Sequence, residues 1–277
     1  MTANDTEKPL GLNPSEAAAG WRFFGLLIVL SGPFYMLGAA GGRLPLPVAL
    51  PTSALMAILP MAAALILVAH AHGLVDAARW LGQNGDPRRI RRPGWVLVAV
   101  LFMPVLCVMA FAIQQIAGAD LPLPQIAPGL AMLLFAAFLV GAVGEELGWQ
   151  GYAYPALRSG QSAFGAALVI GVIWALWHLI PFIQLGRSTW WIVWHLLGTV
   201  ALRVIIVWLH ENAGQSVPVA VLFHTMLNLS WALFPIDGSF YDPFVAFVIL
   251  APVVVLIVGL WGWKTLHQFG TSVRRRS

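Results

Sequence analysis

Two adjacent glutamates, Glu145 and Glu146, interrupt a stretch of the chain that otherwise carries almost no charge. Residues 129–144, directly before them, are apolar or glycine, and they have the length and composition of most of a membrane span. A carboxyl group at the centre of a bilayer costs roughly 2.5–3.5 kcal/mol on insertion scales, so a pair of them there indicates a functional site. Apolar surroundings also make a carboxylate a stronger base, which suits it to taking a proton from water.

Other polar side chains in the later apolar segments are spaced by one helical turn. Three pairs lie four residues apart: Glu146 and Gln150, Trp174 and His178, and His224 and Asn228. Residues at i and i+4 share a helix face, so each pair is expected to project together. Neighbouring residues point about 100° apart, so Glu145 and Glu146 cannot both face one point. We expect one of them to react and the other to support it.

Groups of these types suit hydrolysis of a peptide bond by an activated water molecule. A carboxylate can act as the general base, and an imidazole beside it can orient the same water. A second imidazole and an amide NH2 are donors that can stabilise the oxyanion of a tetrahedral intermediate. The spacing alone does not distinguish this arrangement from a metal site of one glutamate and two histidines with a bound water.

Three ordered motifs in this region resemble the CPBP (Abi) family of intramembrane proteases, which includes CAAX prenyl endopeptidases and bacteriocin-processing or immunity relatives. The family pattern is Glu-Glu-x-x-x-Arg, then an aromatic residue-x-x-x-His, then His-x-x-x-Asn/Asp. The corresponding segments here are Glu145-Glu-Leu-Gly-Trp-Gln-Gly-Tyr152 with Pro155, Trp174-Ala-Leu-Trp-His178, and Phe223-His-Thr-Met-Leu-Asn228. The resemblance covers roughly the second half of the chain.

The resemblance implies an intramembrane endopeptidase that acts on a membrane-associated protein or peptide. In this interpretation Glu145 activates water together with His178, while His224 and Asn228 form the oxyanion hole. The supporting residues would be Glu146, Gln150 and Trp174. We expect no cofactor. If the enzyme is instead metal-dependent, zinc is the candidate ion and its ligands would be Glu145, His178 and His224.

The sequence departs from the family pattern at Gln150, where arginine is usual; Trp174 in place of phenylalanine is a milder change. Glutamine cannot form an ion pair with Glu146, so we expect Glu146 to be protonated and hydrogen-bonded to Gln150. This departure favours an alternative function, a catalytically impaired membrane scaffold or immunity protein of the same fold. A proton-coupled transporter is a third interpretation, because membrane glutamates also serve as proton relays.

Other protease classes find no support in the sequence. The chain contains no His-Glu-x-x-His zinc motif and no Gly-x-Ser-Gly motif of rhomboid proteases. Asp237 and Asp242 fall in a predicted loop, which leaves an intramembrane aspartyl dyad without its acids. His195 has no motif partner, and we interpret it as a hydrogen-bonding residue between helices. The single cysteine, Cys107, excludes a disulfide within the chain.

The composition predicts the elements that must position these residues. Hydrophobic residues make up 60% of the chain and charged residues 9%, and the mean hydropathy is +0.83, which excludes an ordinary soluble domain. We predict an all-α, polytopic membrane helix bundle of about eight transmembrane helices enclosing a polar intramembrane cavity. The predicted segments are 21–40, 49–73, 95–117, 129–149, 163–185, 190–210, 215–234 and 243–263. A polar tail at 1–20, one transmembrane domain at 21–266 and a basic tail at 267–277 complete the predicted organisation.

The distribution of positive charge predicts the orientation in the membrane. Thirteen of the fifteen lysines and arginines fall on one side of the predicted spans, Arg203 among them, and only Arg43 and Arg187 fall on the other. The positive-inside rule then places both termini in the cytoplasm, and we expect the inner membrane of a bacterial cell. We interpret the basic clusters as orientation signals that can contact anionic lipid, and expect no nucleic-acid binding.

The predicted spans leave a conflict in depth. Glu145 comes late in a span that runs inward and His178 late in a span that runs outward, so counting residues puts them at opposite depths. They can meet only if the segment 151–163 dips into the membrane or the fifth helix starts deep, around a cavity that faces the cytoplasm. Irregular backbone is tolerated in a membrane where protein or a water-filled cavity surrounds it.

Overall fold

A computed structural model describes residues 16–41, 52–236 and 238–267 of the chain. Most of the two predicted tails lies outside the described residues, and so do Arg43 and Asp237. Within the described ranges the secondary structure is helical, with no strand. The prediction of an all-α fold is therefore confirmed, whereas the boundaries of the tails stay a prediction.

Ten α-helices form the described part of the chain. In chain order they are α1 (Glu16–Ala39), α2 (Leu59–His72), α3 (Leu74–Gly85), α4 (Gly94–Ile116), α5 (Pro128–Gly148), α6 (Tyr154–Arg158), α7 (Ala163–Gln184), α8 (Thr189–Asn212), α9 (Val217–Ala232) and α10 (Pro243–Trp261). Two 3₁₀ turns precede α2 and α4, at Thr52–Ile58 and Pro87–Arg89, and a π-helical turn at Trp149–Ala153 joins α5 to α6.

Each of the eight predicted membrane segments corresponds to a helix of this bundle. Seven helical segments are long and apolar enough to cross a membrane, and the eighth, α9, has only 16 residues. At 1.5 Å per residue α9 spans about 24 Å, less than the ~30 Å of a hydrocarbon core. The amphipathic helix α3 packs against α2, α5 and α9.

The centre of the bundle is formed by α8. It packs against α7, α9 and α10, and of the seven long segments it has the largest buried share. Helix α5 packs between α2 and α9, so the helices that carry the glutamate pair and the His224 motif are direct neighbours.

Two glycines in α5 set how closely it approaches the preceding segment. A Cβ atom at Gly144 would lie 2.7 Å from the carbonyl oxygen of Ala57, and one at Gly148 would lie 2.4 Å from that of Pro60. Both contacts are too short for any side chain, so backbone packs on backbone here, as at other small-residue interfaces between membrane helices. Because Gly144 and Gly148 flank the glutamate pair, this packing fixes the position of Glu145 and Glu146 along the axis of the bundle.

The predicted end of the fourth span was wrong, and the correction removes the conflict in depth. The helical path does not stop at residue 149 but continues through the π-helical turn and α6 to Arg158, a segment of 31 residues. Glu145 therefore lies thirteen residues before the end of one segment, and His178 lies fifteen residues after the start of the next at Ala163. Both are roughly 20 Å from the connection between the segments, at the same height.

Candidate active site

A cavity of about 330 Å³ lies between the 3₁₀ turn Thr52–Ile58 and helices α5, α7, α8 and α9. Four side chains predicted to be catalytic line it: Glu145, His178, His224 and Asn228. Most of the other lining residues are apolar, among them Met56, Phe138, Phe182, Leu202 and Leu227. The cavity is thus apolar with a few polar groups, rather than the polar cavity that the sequence analysis expected.

Trp174 on α7 connects two of these side chains. Its indole Nε1 donates a hydrogen bond of 2.7 Å to Oε2 of Glu145, and its backbone carbonyl accepts one of 2.8 Å from Nδ1 of His178. Because a carbonyl can only accept, Nδ1 of His178 carries a proton, and a neutral ring then has its lone pair on Nε2. One residue thus orients both the carboxylate and the imidazole.

The second glutamate faces away from the cavity. Glu146 is fully buried, and Arg203 on α8 binds it in a bidentate ion pair, from Nη1 to Oε2 at 2.7 Å and from Nη2 to Oε1 at 3.0 Å. Such a paired geometry is characteristic of arginine and an ionised carboxylate. The two glutamates therefore have different surroundings, as expected for neighbours on a helix.

The predicted partner of Glu146 was wrong. We expected a protonated Glu146 bonded to Gln150, but neither polar side-chain atom of Gln150 has a hydrogen-bond partner within the described ranges. The cation comes from Arg203, which we had counted among the cytoplasmic basic residues. Arg203 is 0% exposed in the middle of α8. Without it the predicted charge asymmetry becomes twelve to two.

His224 on α9 completes the buried cluster. Its Nδ1 donates a 2.8 Å hydrogen bond to Oε1 of Glu146, because the carboxylate can only accept. A neutral ring would then present a lone pair on Nε2. The predicted role as an oxyanion donor therefore requires a second ring proton, on Nε2. Asn228 lies one turn further along α9, in the cavity wall.

One histidine of the cavity was not predicted as part of the site. His195 on α8 lines the cavity, stacks on Trp191 with ring centroids 4.4 Å apart, and has a buried Nδ1 with no partner among the described residues. We had interpreted it as a hydrogen-bonding residue between helices. The signal that could have found it is its spacing, because Thr199 and Leu202, at i+4 and i+7, line the same cavity.

The predicted alternative metal ligands, Glu145, His178 and His224, all lie against Trp174 in this arrangement. Across residues 16–41, 52–236 and 238–267, no group of three or more His, Cys, Asp or Glu side chains is placed to hold a metal ion. The Trp174 indole contacts both imidazoles, with centroids 5.5 Å from His178 and 5.2 Å from His224, and bonds to Glu145 as well. The choice between a glutamate mechanism and a metal-dependent one stays a prediction.

Comparison with known proteins shows that one segment of the chain, which contains the site, matches a protein family. Residues 127–230, which hold all three motifs, match the family described as type II CAAX prenyl endopeptidase Rce1-like. A relative from Methanococcus maripaludis, CAAX prenyl protease 2, is 28% identical over 174 residues, which are 57% of this chain and 64% of the relative. The chain thus aligns with less than two thirds of that relative's length. The two comparisons confirm the resemblance of this chain to the CPBP family of intramembrane proteases.

Proposed function

We propose that this protein is an intramembrane endopeptidase in which Glu145 and His178 activate the attacking water. The observation that carries the proposal is the double role of Trp174, whose indole N–H binds Glu145 and whose carbonyl binds His178. Both side chains line one cavity, and we propose that a single water molecule contacts both of them. The family match supports the same activity.

The reaction begins when Glu145 takes a proton from a water molecule that is also hydrogen-bonded to Nε2 of His178. The water oxygen attacks the carbonyl carbon of the scissile bond, and the carbonyl oxygen becomes an oxyanion. Protonated His224 and the amide of Asn228 donate hydrogen bonds to that oxygen. The C–N bond then breaks, the proton held by Glu145 passes to the leaving amine, and the products are a carboxyl terminus and an amino terminus.

The shape of the cavity supports a short, apolar substrate segment. A volume of about 330 Å³ is at the small end of ligand pockets, so it admits a few residues of extended chain and no folded domain. The predominantly apolar lining favours hydrophobic side chains or a lipid group next to the scissile bond. We therefore propose as substrate the carboxyl-terminal segment of a prenylated protein, in line with the name of the relative, CAAX prenyl protease 2.

The position of Arg203 weakens the alternative of a catalytically impaired scaffold. That alternative was based on Gln150, which cannot neutralise Glu146. Because Arg203 forms a bidentate ion pair with Glu146, the glutamine no longer argues against activity. The remaining asymmetry of basic residues supports cytoplasmic termini, which would let the cavity receive cytoplasmic proteins at the membrane.

The direct test is cleavage of a prenylated peptide by the purified protein in detergent or proteoliposomes. The peptide carries a fluorophore and a quencher at its two ends, and mass spectrometry identifies the products and thereby the bond that is cleaved. We expect the wild type to release the carboxyl-terminal fragment, and Glu145→Gln and His178→Ala to abolish the release. If Glu145→Gln cleaves as fast as the wild type, Glu145 is excluded as the general base.

A further inference from the structure

We propose that Arg203 is a positioning residue for the hydrolysis. It lies on α8, which carries none of the three motifs, and it holds two parts of the site: the Glu146–His224 pair, and Trp174 with its hydrogen-bond partners. The proposal depends on the proteolytic function proposed above. Arg203 does not line the cavity and is fully buried, so it acts through other side chains rather than on the substrate.

The first part that Arg203 holds is the pair of Glu146 and His224. Its two terminal nitrogens bind the two oxygens of Glu146, and one of those oxygens also accepts from His224. A bidentate pair fixes the plane of the carboxylate and thereby the direction of the imidazole. The orientation of the His224 ring toward the cavity is thus set by Arg203 through Glu146.

The second part is reached through Trp174. The guanidinium carbon of Arg203 lies 4.1 Å from the centroid of the Trp174 ring, a cation–π contact within the usual limit of about 6 Å. The same indole donates to Glu145, and the backbone carbonyl of Trp174 receives the His178 hydrogen bond. One guanidinium therefore contacts a partner of three of the four groups proposed to act on the water and the oxyanion, namely Glu145, His178 and His224.

Close packing of α7 on α8 enforces this contact. A Cβ atom at Gly171 would lie 3.2 Å from Cα of Val200 and 3.2 Å from Cβ of Arg203, so the helices approach closely at this glycine. Trp174 follows Gly171 by three residues on the same side of α7, which places its indole over the guanidinium. The absence of a side chain at residue 171 thus allows Arg203 to reach Trp174.

A substitution at Gln150 can supply the positive charge of Arg203 from a different position in the bundle. It lies one turn after Glu146, is 1% exposed, and has no hydrogen bond from its amide within the described residues. An arginine at this position could pair with Glu146 from the same helix, because residues at i and i+4 are neighbours. It would restore the ion pair without the specific stacking on Trp174 that α8 provides.

The experiment compares four variants in the prenylated-peptide assay: Arg203→Gln, Arg203→Lys, Gln150→Arg with Arg203→Gln, and Arg79→Gln as a control. Arg79 is an exposed arginine paired with Asp76 on α3, so its loss removes a positive charge at a distance from the cavity. We expect Arg203→Gln to lower kcat by about 10²-fold, the scale of a misplaced catalytic group, while KM stays within about threefold. The control should match the wild type.

The expected rescue distinguishes positioning from a general loss of packing. The double variant should regain at least about tenfold in kcat over Arg203→Gln, because Glu146 and His224 are oriented again. Arg203→Lys should lie between wild type and Arg203→Gln, since an ammonium is a point charge without a planar fork. If Arg203→Gln does not fold, the lysine variant gives the measurement, and a wild-type kcat for it overturns the proposal.

Two results would contradict the positioning role of Arg203 while leaving the proposed proteolytic function intact. One is cleavage by the wild type with an unchanged kcat in folded Arg203→Gln. The other is a folded double variant whose kcat is no higher than that of Arg203→Gln. By contrast, absence of cleavage by the wild type as well as by every variant would reject the proposed proteolytic function.

Discussion

Replacing each of the two adjacent glutamates by glutamine should separate catalysis from stability. Glu145→Gln and Glu146→Gln make the same chemical change at neighbouring positions, but the surroundings of the two carboxylates differ. Glu145 borders the cavity and has one hydrogen bond, from Trp174, whereas Glu146 is fully buried between Arg203 and His224. We expect Glu145→Gln to abolish cleavage and Glu146→Gln to destabilise the fold.

The magnitudes follow from these contacts. A glutamine at residue 145 can still accept the indole hydrogen bond, so the free energy of unfolding should change by no more than about 1 kcal/mol. Loss of the general base should lower kcat by about 10²–10⁴-fold. A glutamine at residue 146 leaves the Arg203 cation buried without a counter-charge, and breaking a buried ion pair in this way costs about 3–5 kcal/mol.

The measurement needs both quantities on the same preparations. Tryptophan fluorescence during titration with SDS gives the free energy of unfolding, and the prenylated-peptide assay gives kcat for each folded variant. An unchanged stability of Glu146→Gln would contradict the buried ion pair with Arg203. If Glu145→Gln still cleaves while a stable Glu146→Gln does not, the base and its supporting residue have been assigned in the wrong order.

Four further predictions concern other parts of the molecule. Asn228→Ala should lower kcat by about 10²–10³-fold if its amide donates to the oxyanion, and a loss below about threefold would exclude that role. Cleavage should persist after strong chelation, whereas complete loss that added metal restores would establish a metal-dependent mechanism. Single cysteines placed at residues 83–92, between the second and third predicted spans, should react with a membrane-impermeant thiol reagent only from the cytoplasmic side, and labelling from outside would reverse the topology. Gly148→Ala should destabilise the bundle because a Cβ atom there would lie 2.4 Å from Pro60, whereas Gly141→Ala, with its nearest atom at 3.7 Å, is the control expected to have little effect.

The local part of the site could be predicted from the sequence because one-turn spacing is a property of a single helix. Trp174 and His178 share a face of α7, and His224 and Asn228 share a face of α9, wherever those helices lie in the bundle. The helices themselves could be located because each is a long apolar run. Neither prediction needs knowledge of how the helices pack.

The end of the fourth span could not be predicted in this way. Gly148, Gln150 and Gly151 interrupt the apolar run, and a hydropathy average reads such residues as the beginning of a loop. In the structure the backbone passes through them as a π-helical turn, a feature that often occurs at functional sites. Gly148 serves close approach of helices instead, since it packs against the backbone of Pro60.

Arg203 was missed because charges were counted by side of the membrane rather than by depth. It lies fourteen residues into the 24-residue helix α8, so it meets the criterion that identified Glu145, an ionisable group within an apolar span. Its partner Glu146 is fifty-seven residues away in sequence, and no local pattern connects the two. The signal that the sequence offered for this ion pair was that Glu146 and Arg203 are isolated charges of opposite sign at similar predicted depth in the membrane.

The charges of the assembled site explain how an apolar cavity can support this reaction. In the proposed resting state Glu145 and Glu146 are negative, and Arg203 and protonated His224 are positive, so the cluster is neutral in total. When Glu145 takes the proton from water it becomes neutral, and the negative charge reappears on the oxyanion beside His224 and Asn228. The net charge does not change along this proposed step. The negative charge moves across the cavity toward the His224 ring, whose position is set by its hydrogen bond to the Arg203–Glu146 pair. Little solvent reorganisation is then required, which is the condition under which fixed charges stabilise a transition state in a medium that water hardly enters.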